Sequence, residues 1–75
     1  MRLDALIQKT FAFERPLQDA DGLGSVPGWD SLGHLNLMVA IESAFGIRWT
    51  TREISELQTV GEIRRAIERR TNKTA

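Results

Sequence analysis

The stretch that decides the fold runs from Ser31 to Phe45 and reads SLGHLNLMVAIESAF. Asp30 or Ser31 can cap its start and Gly46 follows its end, so the pattern predicts a helix over these residues. Successive helical residues are about 100° apart, and this spacing sorts the apolar side chains into two stripes. The first stripe holds His34, Leu37, Met38, Ile41 and Phe45, and the second, beside Ser31, holds Leu32, Leu35 and Val39. Two stripes indicate either a helix buried on most sides or a stripe that awaits a partner, and both interpretations stay open.

A further helix and a long loop are predicted before this stretch. The helix is indicated by apolar residues that repeat at i, i+3, i+4 and i+8, namely Leu3, Leu6, Ile7 and Phe11. Pro16 must end it, because proline cannot continue a helix. Residues 17–28 then carry three glycines, a proline and two aspartates, which is typical of a loop. A loop of this length in a small domain is more often functional than idle.

The remaining segment predicts one short helix and one long helix. Thr50 or Thr51 can cap a brief helix over 52–57. Thr59 and Glu62 have the spacing of a capping box, which predicts where the last helix begins. No strand-like alternation appears. The predicted fold is therefore all-α, a small bundle of three longer helices and one short helix.

Length and composition limit what the chain can do. Its 75 residues predict a single domain over 1–75, with a polar tail at 71–75 that is expected to fray. Such a domain has no room for a substrate pocket between subdomains, so we predict a non-enzyme with no catalytic residue. It has no cysteine and one histidine, which argues against a disulfide, a thiolate nucleophile and a metal site.

Charge and hydropathy exclude two further classes of function. The formal net charge is zero and no aromatic residue follows Trp49, so nucleic-acid binding is not predicted. The apolar run at 37–41 is too short to span a bilayer, and the first residues lack the pattern of a signal peptide. We therefore expect a cytoplasmic monomer that does not contact membranes.

Ser31 is the residue at which chemistry is expected. It follows a glycine-containing loop and opens a helix, where backbone N–H groups are free and the helix dipole is positive. Such a position favours a phosphate on the serine hydroxyl. From spacing alone, however, a simple helix cap by Asp30 or Ser31 explains the pattern better.

The motif around Ser31 resembles that of acyl carrier proteins. Asp30-Ser31-Leu32 opens the long apolar helix, and the fuller run VPGWDSLGHL at 26–35 is similar to stand-alone carriers of bacterial specialised pathways. Later segments fall where that family has helix ends and core positions, namely Glu42, Phe45-Gly46-Ile47 and Thr59-Val60-Gly61-Glu62-Ile63. The likeness spans nearly the whole chain and is weakest before Pro16.

This resemblance implies a covalent cofactor. Ser31 would receive a 4′-phosphopantetheine arm from coenzyme A, transferred by a phosphopantetheinyl transferase. The arm ends in a thiol that carries an acyl group as a thioester, so a cysteine-free chain would import its sulfur. Asp30 and Leu32 complete the motif, and Asp30 would help the transferase recognise the site. The other partners would be acyl-activating or acyl-transferring enzymes of a polyketide-like or fatty-acid-like pathway.

The resemblance also implies that the helix headed by Ser31 is the recognition helix for partner enzymes. The partner-surface residues that we predict are Trp29, Leu35, Val39 and Glu42, and Leu32 joins Leu35 and Val39 in an apolar docking stripe. Trp29 has an alternative role, which is to pack the loop against the start of the helix.

The chain departs from the fatty-acid type of carrier in its charges. That type has acids about two, five, eleven and twelve residues after the serine. Here these positions hold Gly33, Asn36, Glu42 and Ser43, so only Glu42 is negative. Docking to strongly basic fatty-acid synthase surfaces should therefore be weak, since charge complementarity steers such encounters.

Three alternatives stay beside the acyl carrier. The same arm could carry an aminoacyl or other hydroxyacyl group, because the thioester chemistry is identical. The chain could instead be an unmodified helical adaptor that binds a partner through the stripe of Leu32, Leu35 and Val39. An enzyme is the most distant alternative, since a triad of Asp30, Ser31 and His34 would lack pocket walls and an oxyanion hole. His34 is expected to be partly buried near the attachment point.

Overall fold

The computed structural model describes residues 2–71 and contains four helices within them. They are α1 (Arg2–Phe11), α2 (Ser31–Phe45), α3 (Thr51–Glu56) and α4 (Val60–Thr71). The described part of the chain has no strand, only an isolated pairing of Gly22 with Thr59. The predicted all-α bundle of three longer helices and one short helix is confirmed. Thr71 ends α4, and the rest of the predicted frayed tail, 72–75, lies outside the described residues.

One apolar core lies between α1, α2 and α4. Its fully buried helical side chains are Leu3 and Ile7 of α1, Leu37, Met38 and Ile41 of α2, and Val60, Ile63, Ala66 and Ile67 of α4. Burying one Leu or Ile side chain contributes about 1.5–3 kcal/mol, so these three helices supply most of the hydrophobic stabilisation. By contrast, α3 has no buried residue and contacts the core through the half-buried Ile54 and Leu57.

The first helix ends earlier than Pro16 requires. Ala12 follows α1 with φ 51°, in the left-handed region, and turns the chain away. The N–H of Phe13 donates to the Gln8 carbonyl at 2.8 Å, and the N–H of Ala12 donates to the Lys9 carbonyl at 3.5 Å. These two bonds form the Schellman arrangement that satisfies the last carbonyls of a helix.

Both ends of α2 carry the predicted signals. At the start, Asp30 is the cap, because its Oδ1 accepts the N–H of Gly33 at 2.8 Å. At the end, Gly46 adopts φ 67° and donates its N–H to the Glu42 carbonyl at 2.9 Å. Glycine adopts this left-handed conformation readily because it has no Cβ, so Gly46 ends the helix where the pattern indicates.

Capping boxes begin the last two helices. Thr50 and Glu53 each accept the other's backbone N–H, so α3 begins at Thr51, one residue before the predicted range of 52–57. Thr59 and Glu62 exchange hydrogen bonds of 3.2 Å in the same way, as predicted. These caps satisfy N–H groups that a helix start otherwise leaves without partners.

The long loop between α1 and α2 is held by the turn that precedes α4. The N–H of Leu23 donates to the Gln58 carbonyl at 2.9 Å, and the N–H of Val60 donates to the Asp21 carbonyl at 2.8 Å. The two segments are so close that a Cβ on Gly22 would stand 2.1 Å from the Gln58 oxygen. Glycine at this position therefore permits the pairing, which gives a segment without helical structure a defined course.

Asp21 is a buried carboxylate within this loop. Its oxygens accept the Arg15 guanidinium at 3.1 and 3.2 Å and the N–H of Gln18 at 2.8 Å. The bond from Arg15, followed by the bond from Gln18, holds the pKa of Asp21 below its ordinary value of 3.8. The ionised carboxylate thus organises the loop by accepting three hydrogen bonds from two residues.

None of the helices within residues 2–71 combines the length and the apolar character that crossing a bilayer requires.

Candidate functional site

Ser31 is the first residue of α2, and its side chain is exposed. Among the described residues, its hydroxyl makes no hydrogen bond. Asp30 performs the capping that the sequence left open between Asp30 and Ser31. The hydroxyl of Ser31 is therefore available to a reagent from solution.

The backbone N–H groups of Ser31 and Leu32 lie beside this hydroxyl, in the first turn of α2. The N–H of Gly33 is used by the Asp30 carboxylate, and the N–H of His34 donates to the Asp30 carbonyl at 2.7 Å. Within residues 2–71, nothing accepts the N–H groups of Ser31 and Leu32, since the first turn of a helix has no earlier carbonyls to offer. Free donors at the positive end of a helix stabilise a nearby anion.

Trp29 packs and hydrogen-bonds the turn that precedes Ser31 against the rest of the chain. Its side chain is only 1% exposed and stacks on Phe11, with ring centroids 5.1 Å apart and an interplanar angle of 16°. Its indole Nε1–H donates to Nδ1 of His34 at 2.9 Å. We predicted Trp29 as part of the partner surface, and the structure corrects this placement, because the ring is buried beneath the loop. The alternative, packing of the loop against the helix start, describes its position.

His34 joins this turn to α3. Its ring is 5% exposed, more buried than the sequence predicts, and its Nε2 lies 2.8 Å from the Ile54 carbonyl oxygen. Both ring nitrogens are thus engaged away from Ser31. Asp30, Ser31 and His34 do not form the hydrogen-bonded chain of a hydrolytic triad, in which a histidine nitrogen must reach the serine hydroxyl.

Gly33 allows the loop to approach the head of α2. A Cβ on this residue would stand 2.3 Å from the Gly28 carbonyl oxygen and 3.0 Å from a ring carbon of Phe11. In the sequence, Gly33 was notable only because carriers of the fatty-acid type have an acid at this position, two residues after the serine. Its structural role was missed, because close approach to a loop carbonyl has no signal in the order of residues.

A cleft of about 260 Å³ opens beside Ser31. Its walls come from the loop, from the first turn of α2 and from α3 with the turn after it, and consist of Leu23, Ser31, His34, Ile54, Ser55 and Gln58. The lining combines apolar side chains with hydroxyl and amide groups.

The second apolar stripe of α2 faces outward. Leu32 is 68% exposed, Leu35 46% and Val39 55%, whereas the stripe containing Leu37 and Ile41 is buried. The structure thereby excludes the interpretation in which α2 is buried on most sides. An exposed row of large apolar side chains on one helix is a feature of surfaces that meet a partner.

Glu42 lies at the far end of this stripe and is half-buried. Its Oε2 accepts the N–H of Trp49 at 2.8 Å, so the carboxylate is already engaged within the chain. Glu42 also borders a second cleft of about 270 Å³, which Val39, Ser43, Ile47 and Arg48 complete. The predicted partner surface therefore consists of Leu32, Leu35 and Val39, with Glu42 at its edge.

The site contains no metal-binding cluster among the described residues, where no three His, Asp or Glu side chains come together in a suitable arrangement. Comparison with known proteins adds no identification: no family model, curated protein or solved structure matches the chain. What Ser31 does is therefore inferred from its surroundings and from the motif that contains it.

Proposed function

We propose that this chain is an acyl carrier protein that bears a 4′-phosphopantetheine arm on Ser31 and presents an acyl thioester to the enzymes of a biosynthetic pathway. The observation that carries the proposal is the free, exposed hydroxyl of Ser31 at the head of α2. The motif Asp30-Ser31-Leu32 and its resemblance to carrier proteins supply the identity of the group.

The residues around Ser31 fit a phosphodiester. The unused N–H groups of Ser31 and Leu32 lie next to the hydroxyl, and Asp30 is turned toward Gly33 by its capping bond. A phosphate on the serine would therefore meet backbone donors at a helix start. When bound, the arm would supply the thiol that a chain without cysteine cannot provide.

The transfer requires a separate enzyme. Ser31 Oγ would form a bond to the β-phosphorus of coenzyme A while the pyrophosphate P–O bond breaks and adenosine 3′,5′-bisphosphate leaves. The hydroxyl proton must pass to a base on the transferase, because no described side chain accepts a hydrogen bond from Ser31. The role of this chain is to present the hydroxyl.

The exposed stripe suits the partner enzymes of such a carrier. Leu32, Leu35 and Val39 continue along α2 from Ser31, and an apolar strip beside the arm gives an enzyme a surface to bind. The helix offers one acid, Glu42, whose carboxylate is engaged by Trp49. We therefore expect partners with apolar docking surfaces, and weak, salt-insensitive binding to a fatty-acid ketosynthase.

Intact-mass measurement tests the attachment site. The purified chain is incubated with coenzyme A and a panel of phosphopantetheinyl transferases of broad specificity. We expect the wild type to gain the mass of one phosphopantetheinyl group, and Ser31→Ala to gain none. Ser43→Ala, which removes another exposed serine from α2, is the control and should gain the full mass. A wild type that no transferase in the panel modifies would contradict the proposal.

An unmodified adaptor is the second candidate, and the exposed stripe favours it. Leu35→Asp should abolish a partner complex in either case, and circular dichroism should show an intact fold because Leu35 is already half exposed. Ser31→Ala separates the two candidates, since an adaptor retains its partner and its activity in this variant. A carrier for aminoacyl groups would give the same results as an acyl carrier, so only the loading enzyme distinguishes these cargoes.

A further inference from the structure

The short helix α3 is the least anchored wall of the cleft beside Ser31. It has no buried residue, and its contacts with the core come from Ile54 and from the following Leu57. Six residues are too few for a helix to be stable by itself, so its position depends on bonds to the rest of the chain.

The carbonyl of Ile54 lacks a partner within α3. In a continuing helix it would accept the N–H of Gln58, but that N–H donates to Glu62 Oε1 at 3.2 Å. The N–H of Leu57 is used by the Glu53 carbonyl at 2.9 Å. The Ile54 oxygen is therefore one of the terminal helix carbonyls that need a donor from elsewhere.

His34 supplies that donor, and its tautomer follows from its other bond. An indole N–H can only donate, so the 2.9 Å bond from Trp29 requires Nδ1 of His34 to be without hydrogen. The hydrogen of the neutral ring then lies on Nε2 and points to the Ile54 carbonyl at 2.8 Å. One imidazole thus connects the turn before Ser31 to the last turn of α3.

We propose that His34, as its Nε2-protonated tautomer, is a positioning residue that holds α3 against the head of α2 and so fixes the surface that a modifying enzyme meets around Ser31. This role rests on the proposed function for Ser31. His34 lies one turn after Ser31 on the same helix, and its two bonds leave in opposite directions, to the loop and to α3. Loss of the bond to Ile54 frees the α3 side of the cleft while Ser31 itself is unchanged.

Two substitutions separate the two bonds. In His34→Gln, the longer amide can bring an N–H₂ donor to the position of Nε2 and retain the bond to Ile54. In His34→Asn, the shorter amide can bring its oxygen to the position of Nδ1 and retain the bond from Trp29, but it cannot reach Ile54. If His34 only filled space, the effects of His34→Gln and His34→Asn would not depend on which hydrogen bond each amide can retain.

The experiment combines ¹⁵N NMR, hydrogen exchange and the rate of transfer to Ser31. The imidazole resonances of the wild type should show hydrogen on Nε2 and none on Nδ1. His34→Asn should lose amide protection in α3, and kcat/KM for phosphopantetheinyl transfer should fall roughly three- to tenfold, mainly through KM. His34→Gln should retain protection and stay within about twofold of the wild type. Asn36→Ala, exposed on the same helix, is the control and should leave the rate unchanged.

The outcomes are distinguishable. Hydrogen on Nδ1, or a transfer rate in His34→Asn equal to that of the wild type, would overturn the positioning role and leave the carrier function standing. A folded wild type that no transferase modifies would overturn the carrier function and the positioning role with it. If His34→Asn does not fold, the wild-type imidazole resonances and His34→Gln decide the question. A rate in His34→Gln that falls by much more than twofold, although its amide can retain the bond to Ile54, would then overturn the positioning role.

Discussion

Gly33 shows how a single residue can shape the head of α2 by having no side chain. The Gly28 carbonyl oxygen occupies the place that a Cβ on residue 33 would need, and Phe11 closes the same space from the other side. The position lies two residues after Ser31, where carriers of the fatty-acid type have an acid. In this chain an acid would have no room, so the loss of charge accompanies a tightly packed loop.

Substitution at Gly33 should reverse the usual effect of alanine in a helix. Replacing an interior helical glycine normally stabilises a protein by about 0.5–1 kcal/mol. Here Gly33→Ala is expected to lower the free energy of unfolding by about 1–3 kcal/mol, because a methyl group would be forced against backbone. Urea unfolding measures the change. Asn36→Ala, exposed on the same helix, should be neutral or slightly stabilising, and a gain in stability for Gly33→Ala would contradict the close approach.

At the scale of the elements, the end of α1 carries a residue that does not suit its conformation. Ala12 has φ 51°, which costs an alanine roughly 1–2 kcal/mol relative to ordinary helical angles. The Schellman bonds of Ala12 and Phe13 maintain this turn. A residue without a Cβ would adopt it without that cost.

Two opposite glycine substitutions test this helix end. Ala12→Gly should raise the free energy of unfolding by about 0.5–1 kcal/mol, because the left-handed position favours glycine. Ala5→Gly, at an exposed interior position of the same helix, should lower it by about 1 kcal/mol. Thermal unfolding of both variants gives the comparison. Two changes of the same sign would show that Ala12 is not strained.

The sequence predicted where the helices begin better than it predicted how they pack against one another. Caps such as Asp30, Thr50 and Thr59 are local, so residue order alone indicates where α2, α3 and α4 begin. Which stripe of α2 faces outward depends on the elements packed around it, and the pattern could not decide that. The proposal for Ser31 came from a motif, which residue order also contains.

Two parts of the site that escaped prediction depend on residues distant in sequence. The bond from His34 to Ile54 joins two helices across twenty positions of the chain. The buried ring of Trp29 stacks on Phe11, which belongs to α1. Contacts of this kind arise only when the loop and helices assemble, so an isolated segment contains no sign of them.

At the scale of the whole molecule, arginine–carboxylate pairs connect elements that are distant in sequence. Arg64 of α4 pairs with Asp4 of α1 at 2.8 Å. Arg70 of α4 pairs with Glu53 of α3, and this bond, followed by the Thr50 N–H, holds the pKa of Glu53 below its ordinary value of 4.5. Within the loop, Asp21 pairs with Arg15, and its pKa is likewise lowered.

These lowered pKa values predict how stability responds to acid. A carboxyl whose pKa is lower in the folded chain binds fewer protons there than when unfolded. Its contribution is complete above the ordinary value, 3.8 for Asp21 and 4.5 for Glu53, and is lost as the pH falls through the lowered pKa. The free energy of unfolding should therefore decline as the pH falls below about 4.5.

Removal of the Asp21 charge should flatten this decline. Urea unfolding at a series of pH values should give Asp21→Asn a lower stability at neutral pH and a smaller loss in acid than the wild type. The matched control is Glu56→Gln, whose side chain is 60% exposed and whose carboxylate pairs, among the described residues, with Arg52 one turn earlier in α3. Its curve should run parallel to that of the wild type. Parallel curves for Asp21→Asn as well would show that the buried carboxylate is not responsible.

The pairing of the long loop with the turn before α4 has a consequence for the order in which the molecule is assembled. During synthesis, the loop and Ser31 leave the ribosome before Gln58 and Val60, whose backbone groups hold Leu23 and Asp21. A nascent chain that stops short of α4 has the serine but lacks the contacts that give the loop its course. Under the proposed function, a transferase that requires the folded head of α2 would modify finished chains and pass over incomplete ones.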